Sequence, residues 1–199
     1  MRRRTRIQRG IIYLMIAVLV SSCIVTYRDF PTAQLDRPAP GKTYDVLYYK
    51  IKAFPTLDAG GQSALHRAFR AQTPFERTEK RDEPPDRGLF VQVVVKWKPI
   101  TLPFIIFGYL SLQTLTILPA WSTHEGYYVD YVVYVDGVEK RTFEYEITRK
   151  GVVWIVLLPF IWINLFTHSE EDAFIATAYQ FFEDAAPIFS EVSGGGVNP

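Results

Sequence analysis

Apolar side chains recur at every second position in four stretches of this chain and at helical spacing in two others. Leu47, Tyr49, Ile51 and Ala53 share one face of residues 43–54, a β-branched and aromatic segment. Leu89, Val91, Val93, Val95 and Trp97 alternate with Gln92, Lys96 and Lys98, whose two lysines place the far face in water. Tyr127, Val129, Tyr131, Val133 and Val135 line a third strand, and Phe143, Tyr145 and Ile147 line its return partner. Period two with such residues predicts strands with one buried face. A two-residue turn at Asp136-Gly137 would oppose Phe143 to Asp130 and mismatch the apolar faces. A three-residue loop is therefore predicted, with Gly137 left-handed as a bulge, Phe143 near Val129 and Tyr145 near Tyr127.

Ala64, Leu65, Ala68 and Phe69 recur every three or four residues while Arg67 and Arg70 point away, which predicts an amphipathic helix near residues 62–72. A second helix opens at Ser169-Glu170-Glu171-Asp172, where serine caps the first turn and the acids favour the positive end of the helix dipole. Phe174, Ala178, Phe181, Phe182 and Ala185 form its apolar stripe, and Pro187 is expected to stop it. Residues 43–187 thus read as one α+β domain: an antiparallel sheet of about four strands, two helices on one face, and two further apolar segments. Residues 23–42, with Pro31, Pro38, Pro40 and Gly41, read as a tether. Residues 76–88 read as a charged exposed loop and residues 188–199 as a disordered tail.

The two further segments, residues 100–120 and 151–167, carry no Asp, Glu, Lys or Arg. All four tryptophans lie at or within them: Trp97 and Trp121 bracket the first, Trp154 and Trp162 fall in the second, where Phe160 follows Pro159. Tryptophan concentrates where bilayer meets water, so these five aromatic residues are the candidate membrane or partner contacts. Three readings stay open: spanning helices, surface-inserted loops or short helices, and buried strands. Pro103, Gly108, Pro119 and Pro159 interrupt helix geometry, and spanning would strand the hairpin across the membrane from its sheet. Surface insertion is the favoured expectation.

The start of the chain supplies a membrane context. Five arginines precede ten apolar residues, 11–20, too few to span a bilayer, which needs about 20. Ser21, Ser22 and Cys23 follow, and Cys23 is the only cysteine. This order resembles a bacterial lipoprotein signal. The resemblance implies removal of residues 1–22 and attachment of a diacylglyceryl group to the Cys23 sulfur, often with a further acyl chain such as palmitate on the new amino terminus. Ile24 stands where an aspartate would retain a lipoprotein in the inner membrane, so the periplasmic face of the outer membrane is favoured. Without the five signal arginines, 17 basic residues remain against 21 acidic, a formal charge of −4. That balance argues against a nucleic-acid partner, whose phosphates call for an excess of Lys and Arg.

Chemistry is sparse. His124 and His168 both follow an apolar segment and, with Glu125 and Glu170, are weak candidates for a metal site. Polar residues marking the exit from an apolar phase explain them as well, and His66 is expected on an exposed helix face. Glu144 and Glu146 sit on a solvent-facing strand face. No phosphate loop, nucleophile elbow or HExxH motif occurs, so neither cofactor, resident metal nor enzymatic activity is expected. The order Thr114-Leu115-Thr116-Ile117-Leu118-Pro119-Ala120-Trp121, a Tyr-rich hairpin, Trp154 and Leu157-Leu158-Pro159-Phe160 resembles a group of bacterial envelope lipoproteins over residues 88–182. The expectation is a lipid-anchored, non-enzymatic protein that binds an envelope protein partner or assists assembly, with the sheet edge or the Trp-rich surface as contact; the resemblance itself carries no established activity. It transfers no catalytic residues. The alternatives are an integral inner-membrane protein with two spans and a metal-dependent envelope enzyme.

Overall fold

The structure is a computed structural model that describes residues 23–52 and 60–194. Residues 1–22, for which a signal is expected, Ala53 and residues 195–199 lie outside the described residues. Six strands form one sheet: β1 (Cys23–Arg28), β2 (Tyr44–Ile51), β3 (Phe75–Lys80), β4 (Leu89–Trp97), β5 (Ala120–Val135) and β6 (Val138–Val153), in the order β1-β6-β5-β4-β2-β3. Four α-helices accompany them: α1 (Gly60–Ala71), α2 (Leu102–Gln113), α3 (Glu170–Asp184) and α4 (Ala186–Gly194). The chain is α+β, as its two periodicities require.

The sheet is larger than the expected four strands, and it is mixed. β2 runs parallel to both β3 and β4, while β4 and β5 are antiparallel. β1 replaces the first part of the expected tether, and β3 replaces the first part of the expected loop. Neither strand alternates clearly, because both are short and lie at the two ends of the strand order. The charged sequence of β3 (FERTEK) suits an edge, where charged side chains discourage pairing with another chain.

The described residues divide into two compact units. The main unit comprises Arg28–Lys98, Gly126–Thr148 and the chain from Ser169 onward. Its core is aromatic: Phe181 stacks on Tyr131 at 4.5 Å between centroids, Phe69 lies 5.2 Å from Tyr49, and Phe143 lies 5.7 Å from Phe181. The helices α1 and α3 therefore cover the face that the strand alternation marked as buried. Ser169 caps α3 as expected, its hydroxyl accepting from the Asp172 amide at 3.1 Å while Asp172 accepts from the Ser169 amide. α3 ends at Asp184, ahead of Pro187 as expected, but a further helix follows at once, so Pro187 does not mark the end of the ordered chain. It occupies the first turn of α4, where proline is tolerated, and Phe189 is fully buried, so residues 188–194 are helical rather than a disordered tail.

The hairpin turn also differs from expectation. Asp136 and Gly137 have φ of 51° and 78°, the signature of a two-residue type I′ turn. Asp136 locks it by accepting from the Gly88 amide at 2.7 Å and donating its own amide to the Gly88 carbonyl at 3.0 Å. Phe143 and Tyr145 nevertheless face the same core as Tyr131, whose ring is 5.6 Å from Tyr145. The turn itself therefore does not supply the one-residue offset that the apolar faces demand. On the far face Lys96 is exposed and pairs with Asp130 at 2.5 Å, but Lys98 is buried, donating to Glu146 and Thr148 at 2.5 and 2.6 Å.

Among the described residues the second unit comprises residues 23–27, Pro99–Glu125 and Arg149–His168. Both apolar segments fall in it. They form α2 and a 3-10 helix, Ile155–Phe166. No helix among the described residues is long and apolar enough to cross a membrane, which removes the two-helix spanning reading. At 1.5 Å per residue α2 is about 18 Å long, against roughly 30 Å of hydrocarbon.

Candidate functional site

Within this second, apolar unit two of the three prolines that argued against helix sit where helices accept them, while Pro159 lies inside the 3-10 helix. Pro103 lies in the first turn of α2, and Pro119 lies beyond its end. Phe104, Gly108 and Ser111, spaced four and three apart, form the more buried side of α2. Leu102, Ile105, Ile106, Tyr109, Leu110 and Leu112 are exposed around the rest of its circumference. A helix apolar on nearly every side ordinarily lies in a core or in lipid.

The helix ends in a Schellman motif, with the Thr116 amide donating to Ser111 and the Leu115 amide to Leu112 at 2.7 and 3.2 Å. Leu115, at φ 50°, occupies the position that glycine usually takes, and Thr116 follows at φ 61°. From there the chain is tied to the 3-10 helix. The Trp154 indole donates to the Ile117 carbonyl at 3.0 Å, and the Ile155 amide donates to the Thr116 carbonyl at 3.0 Å.

The far end of the 3-10 helix is tied to β1. The Val25 amide donates to the Asn164 side-chain carbonyl at 3.0 Å, the Thr167 hydroxyl donates to the Val25 carbonyl at 2.9 Å, and the Tyr27 amide donates to the His168 carbonyl at 3.3 Å. These bonds occupy the outer side of an edge strand and begin two residues after Cys23. Sequence reasoning missed them. The one available signal was Asn164, the single side-chain amide in residues 151–167.

The structure sorts the five aromatic candidates. Trp121 and Trp162 are 51% and 56% exposed, and Phe160 is also exposed. Trp121 stacks on Phe107 at 5.2 Å. Trp154 is half-buried and serves the tie to Ile117, whereas Trp97 belongs to the main unit and packs on Tyr127 at 4.7 Å. The most exposed apolar residues escaped selection: Leu165 and Phe166, 83% and 80% exposed, at the end of the 3-10 helix. Glu125, Arg149 and Lys150 are the only Asp, Glu, Lys or Arg of this unit among the described residues, and Glu125 faces Arg149 at 3.6 Å. Desolvation pushes the Glu125 carboxyl above the ordinary range, against the opposing pull of Arg149 and a hydrogen bond from Ser122.

The residues considered for a metal are not assembled into a site. The His124 ring bonds its neighbour Thr123 at 2.6 Å, Glu125 faces Arg149, and Glu170 opens α3 in the main unit. Among the described residues no group of three His, Cys, Asp or Glu could hold a metal ion. Glu146 is engaged by Lys98, and Glu144 lies exposed on the same strand. The main unit has an open recess of about 820 Å³ lined by Arg87, Asp136, Lys140, Arg141 and Glu191. Charges of both signs line it, which selects neither an anion nor a cation.

No family model and no curated protein matches this chain. Among solved structures, a PelC dodecamer from Paraburkholderia phytofirmans is similar over 76% of this chain and 98% of that one, with 14% identity and a TM-score of 0.25. A likeness that distant bears on neither fold nor function.

Proposed function

We propose that this chain is a lipid-anchored bacterial cell-envelope protein, acylated at Cys23 and held at the periplasmic face of the outer membrane. It acts there without catalysis, as a binding or assembly accessory. The observation that carries this reading is the direct passage from the lipobox cysteine into β1. A lipoprotein with a long tether lets its domain roam. Here Val25 is already clamped by Asn164 and Thr167, so an acyl group on Cys23 would hold the apolar unit against the lipid surface. The resemblance of residues 88–182 to envelope lipoproteins supports the same reading. The envelope protein partner would meet the main unit, whose charged surface suits water. The β1 edge is closed to it by the bonds to Asn164, Thr167 and His168, which leaves β3 as the sheet edge to test.

Metabolic labelling with radioactive palmitate tests the anchor. The wild-type chain is expected to carry label and to migrate as the shortened mature form, and Cys23→Ser is expected to carry none and to remain uncleaved. An unlabelled wild-type chain overturns the reading.

A further inference from the structure

We infer that the apolar unit is itself a membrane-inserting element: α2, the Leu115–Trp121 connection and the 3-10 helix Ile155–Phe166 enter the interfacial and outer acyl region of a phospholipid bilayer. The inference deepens the proposed anchoring and takes its orientation from acylation at Cys23.

Four observations select lipid as the occupant. First, Leu102, Ile105, Ile106, Leu112, Ile117 and Phe160 are exposed in a unit whose described residues include only three charged ones, two of them facing each other. A water-facing protein surface ordinarily carries roughly a quarter to a third charged residues. Second, both segments are helical, so most of their backbone N–H and C=O groups bond within the segment. Lipid imposes that requirement, since it offers no hydrogen bonds to stray backbone groups. The Schellman bonds and the Trp154 indole bond to Ile117 satisfy part of the turn that follows α2.

Third, the attachment point is fixed close by. The Asn164 clamp holds Val25, two positions after Cys23, a reach of about 7 Å along an extended chain. A diacylglyceryl group on Cys23 must lie in the bilayer, so Asn164 and the adjacent Leu165 and Phe166 come to its surface. An apolar helix face lying in that interface sinks about 5–10 Å, a depth that side chains of this size reach. Fourth, the two exposed tryptophans of this unit, Trp121 and Trp162, are the residue type that settles at the boundary of bilayer and water. A second copy of the chain or a protein partner would have to compete for this surface with a membrane that is covalently attached to it.

Fluorescence of the acylated protein reconstituted in vesicles of phosphatidylethanolamine and phosphatidylglycerol with brominated acyl chains tests the inference. Tryptophan emission is expected to be quenched relative to unbrominated vesicles, and Trp162→Phe and Trp121→Phe should each remove part of the quenched signal. Replacing both Leu165 and Phe166 by Glu touches two highly exposed side chains, so the circular dichroism spectrum should not change. In a Cys23→Ser background exported with a cleavable signal, that double replacement should weaken co-sedimentation with the vesicles by about tenfold or more. Vesicle-bound acylated protein with unquenched tryptophan overturns the inference. So does a Cys23→Ser chain that ignores vesicles and self-associates through this surface. Quenching by a chain that takes no palmitate would leave insertion standing and remove the acyl anchor instead.

Discussion

Leu115 holds at φ 50° a backbone conformation that a side chain disfavours by about 1–2 kcal/mol and that glycine adopts freely. Its side chain is exposed and packs little, so the protein gains no core contact from it. In a membrane-facing turn the leucine offers lipid an apolar surface that glycine could not. Leu115→Gly is expected to raise unfolding stability in detergent by about 1 kcal/mol while weakening binding to vesicles; urea titration and vesicle sedimentation check the two signs. His66 behaves differently from its sequence reading as an exposed residue. Its Nδ1 is buried without a hydrogen-bond partner, and its ring meets the edge of Tyr49. Burial, then Lys80 and Arg70, hold its pKa below 6.5. The unfolded chain takes up this proton near pH 6.5 and the folded chain only at lower pH. Stability from neutral His66 is therefore present above pH 6.5 and lost as pH falls through the folded pKa. Denaturant curves from pH 8 to pH 5 should show the wild type losing stability relative to His66→Gln; parallel curves would contradict this.

Helix packing explains an element that periodicity alone located. α1 was legible from Ala64, Leu65, Ala68 and Phe69, but its first turn depends on Gly61, where an added Cβ would sit 2.5 Å from the buried ring of Phe174 on α3. Gly61→Ala should cost about 1–3 kcal/mol despite alanine's better helix propensity, and thermal unfolding measures it. The four alternating strands and both amphipathic helices were readable because one face of each is buried. β1 and β3 were not, since short end strands need no alternation, and α2 was obscured because prolines count against a helix only in its interior. The I′ turn was written in Asp136-Gly137.

At the scale of the molecule, charge is distributed very unequally. The described residues of the apolar unit carry Glu125, Arg149 and Lys150, while the main unit carries ion pairs such as Arg37 with Glu183 and Arg67 with Glu171. The sequence already showed two uncharged segments and a cysteine whose setting resembles a lipobox. It did not show that the chain after Cys23 is a clamped strand, because three hydrogen bonds contributed from residues 164–168 are a long-range feature with no local signature. Under the proposed acylation of Cys23, that clamp would replace an anchor on a tether by an anchor on a folded surface. The most direct measurement is tryptophan quenching of the acylated protein by brominated lipid. Quenching that diminishes in Trp162→Phe and Trp121→Phe is expected, and emission unchanged by bromine in vesicle-bound protein would contradict a lipid-embedded apolar unit.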